Sequence, residues 1–450
     1  MADLGAMSAP RQPKAPRPPL AAPPVDEAAL RPRFAALTML EAALDRRNGL
    51  EDAAGSKAVL DLPVRDRAFA RALTMATLRN LGPIDRALQA KVRKAPPDAV
   101  IMLLRLGAAQ IFHLDTPDFA AVTTTVEMAA ARNPTRPFKA LVNAVLRGLT
   151  RDTAAPVEPE TYAPAWLYAR WRAAYGQEAA DAIAARIAEE PPTDLTPRDP
   201  AEAAALAEAL EATVLPGGGL RTAKRGDLAE WPGFSEGRWW VQDAAAAVPA
   251  RLFDLKPRDT VLDLCAAPGG KTLQLAAAGA KVTAVDRSAA RLTRLGDNLN
   301  RMGFEAEIVA ADAGVWPDKR TFDAVLLDAP CSATGTFRRH PDVLWAAKPW
   351  DIAKLAAVQT QLLDASADRV KPGGRLIYCV CSLEPEEGEA QASSFLARRD
   401  DFEIDALTPG EGGAPAAALT PDGTLRLSPS LTEPAGGMDG FYIARFRRRL

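Results

Sequence analysis

The stretch Asp263-Leu264-Cys265-Ala266-Ala267-Pro268-Gly269-Gly270-Lys271-Thr272 decides the fold. It reads as a strand that ends in an acid, a turn of small residues, and the start of a helix. Small residues let backbone come close to a ligand, and a helix start offers N–H groups with no partner. The stretch is not the phosphate loop G-x-x-x-x-G-K-S/T, because the glycine that should lead that motif is missing before Gly270-Lys271-Thr272. It also lacks G-x-G-x-x-G.

Working outward, the same arrangement recurs. Val261-Leu262, Lys281–Val285, Ala306–Val309, Phe322–Leu327 and Arg375–Cys379 are short apolar strands. Helical stretches lie between them near Lys271–Ala277, Ser288–Met302 and Asp351–Val370. Strands alternating with helices predict an α/β fold with a parallel sheet covered on both faces. Ligands of such sheets bind beyond the carboxyl ends of the strands. Asp286 ends the second strand, with Arg287 beside it, and Asp312 follows the third. An acid in the place of Asp286 accepts the hydroxyls of a ribose, and one in the place of Asp312 suits an adenine amino group. With no pyrophosphate loop, the set describes a nucleoside-containing cofactor, and S-adenosylmethionine fits it. Asp263 is expected to face the cationic amino-acid part, and the turn Ala266-Ala267-Pro268-Gly269-Gly270 to wrap its carboxylate.

The fourth strand leads into Asp328-Ala329-Pro330-Cys331-Ser332 and the fifth into Cys379-Val380-Cys381-Ser382. Cys331 and Cys381, 50 positions apart in the chain, are therefore expected at one rim. The C-x-C spacing of Cys379 and Cys381 is wrong for a redox pair, and two histidines in the whole chain leave no metal centre to build. Carbon 5 of a pyrimidine becomes nucleophilic when a thiolate adds to carbon 6, which is covalent catalysis. That chemistry needs a thiolate, an acid near N3 and a second group to help resolve the adduct. Cys381, Asp328 and Cys331 supply the set, and placement alone allows either thiol to attack.

The segments around Asp263, Asp286, Asp312, Asp328 and Cys381 resemble the RNA 5-methylcytosine methyltransferases of the bacterial RsmB (Sun or Fmu) type, relatives of the Nop2/Sun proteins. The resemblance implies a Rossmann-like S-adenosylmethionine-dependent domain in which Cys381 attacks and Cys331 aids release. Lys271 would buttress the loop and the active site, and Asp328 would contact both cytosine and cofactor. Arg338 and Arg339, in Phe337-Arg338-Arg339-His340-Pro341-Asp342, would meet the substrate backbone. Val380 stands where the family usually has threonine, and Met438 replaces the threonine of its Thr-Asp-Gly-Phe strand entry.

The front half has a different period. Phe34, Leu37 and Leu40, then Phe69, Leu73 and Ala76, then Ile101, Leu104, Ala108 and Ile111 recur at helix spacing. The segments Arg65–Phe69, Leu106–Ile111 and Phe138–Arg147 resemble the NusB fold, which binds RNA in its own family. The expected organisation is a disordered leader over 1–25, which holds seven prolines, a NusB-like helical domain over 26–150, a small linker domain over 151–240, and the methyltransferase domain over 241–450. In the linker domain one helix is expected from Trp166 to Glu190, and Trp231, Trp239 and Trp240 are read as structural.

Composition sets outer limits. The 450 residues are 48% hydrophobic and 25% charged, with a net charge of -2 and a mean hydropathy of -0.10. This excludes a mostly disordered chain, and no run of 18 apolar residues suits a membrane span; Ala99–Phe112 is broken by Arg105. Four cysteines are no disulfide framework. A cytoplasmic monomer is expected, acting on small-subunit ribosomal RNA, free or partly assembled, at cytosine 967 by resemblance. A tRNA substrate, or an inactive RNA-binding assembly factor, stands as the alternative.

Overall fold

The apolar runs after residue 241 come together as one eight-stranded sheet. A computed structural model describes residues 27–45, 49–152, 157–431 and 435–450; the leader expected over 1–25 lies outside the described residues. Thr260–Leu264 sits at the centre of the parallel part, between Lys281–Asp286 and Phe322–Asp328. Glu307–Ala310 extends the sheet on one side and Val370–Val380 on the other. Phe441–Arg448 then adds antiparallel to Val370–Val380, and Phe402–Ile404 and Leu425–Leu427 both pair with it. Strand order thus reverses beside Thr260–Leu264, which is where α/β sheets open a crevice for ligands.

Alternation along the strands explains the two apolar layers. Val261, Ala324, Leu326 and Ile377 point to one face, and Leu262, Leu264, Val325, Leu327 and Leu376 to the other. The helices Gly270–Ala277, Ala289–Met302 and Pro349–Ala367 follow the strands as their spacing predicts. Ser288 accepts a hydrogen bond from the Arg291 N–H to cap the second of them, and Gly303, at φ 65°, ends it.

The front half is helical, from Glu27–Asp45 to Lys139–Leu149, around fully buried Ala36, Leu40, Leu73, Leu103 and Leu104. Gly82 touches the following region so closely that a Cβ there would lie 1.8 Å from the Thr161 carbonyl oxygen.

The linker region differs from expectation. The single helix expected over Trp166–Glu190 is two, Ala165–Tyr175 and Gln177–Ala185, because Gly176 at φ 82° breaks the run. Four short strands follow, Ala212–Val214, Leu220–Thr222, Thr193–Pro197 and Trp239–Val241, side by side in that order. Three of the four have only three residues, too few to show alternation in sequence. Trp231, Trp239 and Trp240 are buried, as a structural role requires. The two linker helices share a core with Phe337, Leu344 and Leu383 of the catalytic domain. Among the described residues, no helix is long and apolar enough to cross a membrane.

Candidate active site

The carboxyl ends of the central strands surround a cavity of about 260 Å³. Asp286, Arg287, Asp312, Asp328, Cys331 and Cys381 all line it, so six of the residues singled out in sequence meet there. Val285, Pro330, Val358 and Leu362 give it apolar walls.

The turn after Thr260–Leu264 reaches the cavity through Cys265, while Ala266, Ala267, Pro268, Gly269, Gly270 and Lys271 lie behind the lining residues. Gly269 takes φ 107°, and a Cβ there would press to 2.9 Å on Leu295 Cγ. Only glycine meets both conditions. The Ala266 N–H donates to the Val285 carbonyl at 3.1 Å, and the Ala267 N–H to Asp286 Oδ2 at 3.2 Å. Asp286 also accepts from the Ser288 N–H at 2.8 Å and from Arg291 Nη1 at 3.3 Å. Arg291 donates in addition to the Ala267 carbonyl and lines the cavity. Sequence reading missed it: an arginine in the first turn of an amphipathic helix carries no sign that it folds back onto the preceding loop.

Asp263 does not line the cavity. It is fully buried behind the turn, where Oδ2 accepts the Thr272 hydroxyl at 2.6 Å and Oδ1 has no partner. Burial pushes its carboxyl up to about 7. The expectation that Asp263 meets the cofactor directly is therefore corrected: of the quoted stretch, only Cys265 lines the cavity.

Lys271 is also buried, and its Nζ lies 2.8 Å from Asp328 Oδ2 and 5.2 Å from the centre of the Phe441 ring. Burial works against its charge, but Asp328 holds the ammonium above its ordinary value. Cys379 Sγ donates to Asp328 Oδ1 at 3.5 Å. Cys331 Sγ and Cys381 Sγ are 3.4 Å apart. The hydrogen bond shared with Cys381 and then burial push the Cys331 thiol well up. Burial, reinforced by Asp328, does the same to Cys379, and it raises Cys265 to about 12. Cys331 and Cys379 thus stay protonated near neutral pH.

The expectation for Arg338 and Arg339 is corrected too. Arg338 is 3% exposed, donates to the Gly436 carbonyl, and sits 3.9 Å from Asp243 and 3.8 Å from Asp439. Arg339 Nη2 lies 2.7 Å from Asp243 and 3.3 Å from Asp194. The two arginines face inward because three buried carboxylates need neutralising there. Despite its burial, Asp243 is held below the ordinary carboxylate range by Arg339 and Arg338. Burial and then Asp243 lift Asp439 to about 8.

The acceptor set fits a nucleoside with hydroxyls and a positive charge: carboxylates of Asp286, Asp312 and Asp328 around apolar walls, with Arg287 and Arg291 as the cations among the lining residues. Among the described residues, no group of three or more His, Cys, Asp or Glu is placed to hold a metal ion.

Known proteins share this arrangement. The model for 16S rRNA methyltransferase RsmB/F matches residues 250–447, and that for the NusB family matches residues 30–151. Ribosomal RNA small subunit methyltransferase B of Pseudomonas syringae pv. tomato is 37% identical over 444 residues, covering 92% of this chain and 96% of that one. Its counterpart in Klebsiella pneumoniae is 36% identical over 408 residues, covering 86% and 91%. The crystal structure of PH0851 shares the fold over 95% of this chain and 100% of its own, at a TM-score of 0.75 and 24% identity. With a NusB-type domain in front and the two-cysteine rim behind, the chain belongs to the RsmB/F family of methyltransferases, which take their methyl group from S-adenosylmethionine.

Proposed function

We propose that this protein methylates carbon 5 of a cytosine in small-subunit ribosomal RNA, at position 967 in the usual convention, through a covalent bond between Cys381 and the base. The observation that carries this reading is the pair of thiols 3.4 Å apart beside the Lys271–Asp328 pair. Asp286 and Asp312 are the residues to hold the ribose and adenine of S-adenosylmethionine. The cofactor supplies an electrophilic methyl group on a sulfonium. Asp328 meets the cytosine ring near N3, with the Lys271 ammonium behind it to balance charge. The Cys381 sulfur bonds to carbon 6, and the C5–C6 electron pair becomes available at carbon 5 for the methyl group. Loss of the carbon 5 proton then restores the double bond as the S–C6 bond breaks. Cys331, held as a thiol, gives its proton to the departing Cys381 sulfur and regains one as carbon 5 loses its own.

A denaturing gel of full-length variants with labelled ribosomal RNA and cofactor tests the assignment. Cys381→Ala is expected to lose both turnover and any RNA adduct. Cys331→Ala is expected to methylate once and accumulate an adduct that survives denaturation. The reverse pattern would make Cys331 the nucleophile. Nucleotide-resolution mapping of 5-methylcytosine in total RNA, with and without the gene, locates the target. Signal lost from a tRNA instead of the small-subunit RNA would reassign the substrate.

A further inference from the structure

Behind the two thiols lies a polar cluster that the mechanism above does not use. Its centre is Glu387, which is fully buried. Four donors converge on its carboxylate. Oε1 accepts from the Ser332 N–H at 2.8 Å and from Gln359 Nε2 at 3.1 Å. Oε2 accepts from the Ser382 hydroxyl at 2.6 Å and from the Ser332 hydroxyl. Ser332 and Ser382 are the residues that directly follow Cys331 and Cys381. Their hydroxyl oxygens are also 3.0 Å from each other.

The consequence is geometric. The two cysteines sit on loops that leave different strands, and the sheet fixes each loop only up to Asp328 and Val380. Beyond those points the Gly335 N–H donates to the Cys381 carbonyl at 3.0 Å and the Leu383 N–H to the Thr334 hydroxyl at 3.0 Å, and the Glu387 carboxylate adds the tie that lies one residue away from both thiols. A neutral side chain in its place could not accept from all four donors, because an amide carries donors of its own. We propose that Glu387 is a positioning residue that sets the distance between the two thiols, and so controls how fast the adduct on Cys381 is resolved by Cys331. Attack on carbon 6 needs only Cys381 and the base in register. Release needs Cys331 in register with Cys381 as well. Loosening the tie therefore slows release more than attack. This inference rests on the covalent reading of the site.

The test is Glu387→Gln in the full-length protein, run beside wild type and Cys331→Ala. Two quantities are read: turnover, and the fraction of enzyme in denaturation-resistant RNA adduct during turnover. The expected result is turnover reduced roughly ten- to hundredfold, the order of loss that misplacement of a reacting group brings. The adduct fraction rises toward that of Cys331→Ala, while the cofactor dissociation constant stays within about twofold. A merely structural role would lower the amount of active enzyme and leave the adduct-to-product ratio at the wild-type value; that result overturns the proposal. If Glu387→Gln does not fold, Ser332→Ala and Ser382→Ala each remove one hydroxyl donor and leave the carboxylate in place. A raised adduct-to-product ratio in either supports the proposal, and wild-type ratios in both overturn it. Absence of any adduct in Cys331→Ala would instead defeat the covalent reading, and Glu387 would then have no adduct to govern.

Discussion

Asp286 has two tasks at one strand end. Its carboxylate gathers the N–H groups of Ala267 and Ser288 and the guanidinium of Arg291, and it borders the cavity. If it also holds ribose hydroxyls, Asp286→Ala removes charge-assisted hydrogen bonds worth roughly 1.5–3 kcal/mol. The cofactor dissociation constant should then rise roughly ten- to hundredfold in titration calorimetry. An unchanged constant would leave Asp286 only the task of bracing the Ala267 turn. At this scale the sequence is legible where a residue's position in the chain fixes its place. Asp286 and Asp328 end parallel strands and Asp312 lies two residues past one, and all three reach the rim, whereas Asp263, one residue short of its strand's end, is buried. The sequence is not legible where the partner comes from far away in the chain. Arg338 and Arg339 look like a basic loop until Asp194, Asp243 and Asp439 are brought around them. Glu387 has the same problem in reverse, since Glu384-Pro385-Glu386-Glu387-Gly388-Glu389 reads as a solvated acidic run.

The helix Ala165–Tyr175 grips the chain just past Cys381. Arg170 Nε donates to Glu384 Oε2 at 2.6 Å, Trp171 Nε1 to Glu384 Oε1 at 3.3 Å, and the Tyr175 hydroxyl to the Leu383 carbonyl. Glu384 is fully buried, and burial raises its carboxyl above the ordinary value even though Arg170 and Trp171 favour the ionised form. A carboxyl whose native pKa exceeds its unfolded pKa binds extra protons in the native state. The stability it confers falls as pH rises between the two values. Arg170→Met removes the paired charge, raises the native value further and widens that interval. The expected loss in melting temperature is therefore larger at pH 8 than at pH 5, where more of Glu384 is neutral in both proteins. Thermal melts of wild type and variant at the two pH values check this. An equal loss at both would mean that Arg170 contributes packing and not charge. The helix itself was visible in its apolar spacing. Its break at Gly176 was not, because a single glycine is tolerated inside many helices and only its φ of 82° marks the end.

Across the whole molecule, buried links fasten the front domain to the catalytic one. Arg79, near the end of Val64–Arg79, is 6% exposed and spans three segments. It donates to the carbonyls of Ile187 at 3.3 Å, Glu189 at 2.9 Å and Arg338 at 2.6 Å. Trp345 of the catalytic domain donates to the Leu78 carbonyl one residue earlier, at 3.2 Å, and packs on the front domain's core. Burial lowers Arg79 to about 10, which still leaves it charged at neutral pH. One side chain thus joins the NusB-type helices, the end of the linker helices and the loop whose arginines hold Asp243. Arg79→Met keeps most of the apolar stem and strands three carbonyls without their donor. The cost should be on the order of 3 kcal/mol, since each hydrogen bond to a charged group is worth about 1.5–3 kcal/mol and part of the loss is recovered by solvent. The loss falls on the junction, not on either core, so the domains are expected to uncouple before they unfold. Calorimetry should resolve an early transition for the front domain and a later one for the catalytic domain. Cofactor affinity should hold, because the residues lining the cavity all lie beyond residue 260, while ribosomal RNA methylation declines. A single cooperative transition with unchanged methylation would place the mechanical link elsewhere, for example at Trp345 or the close contact at Gly82.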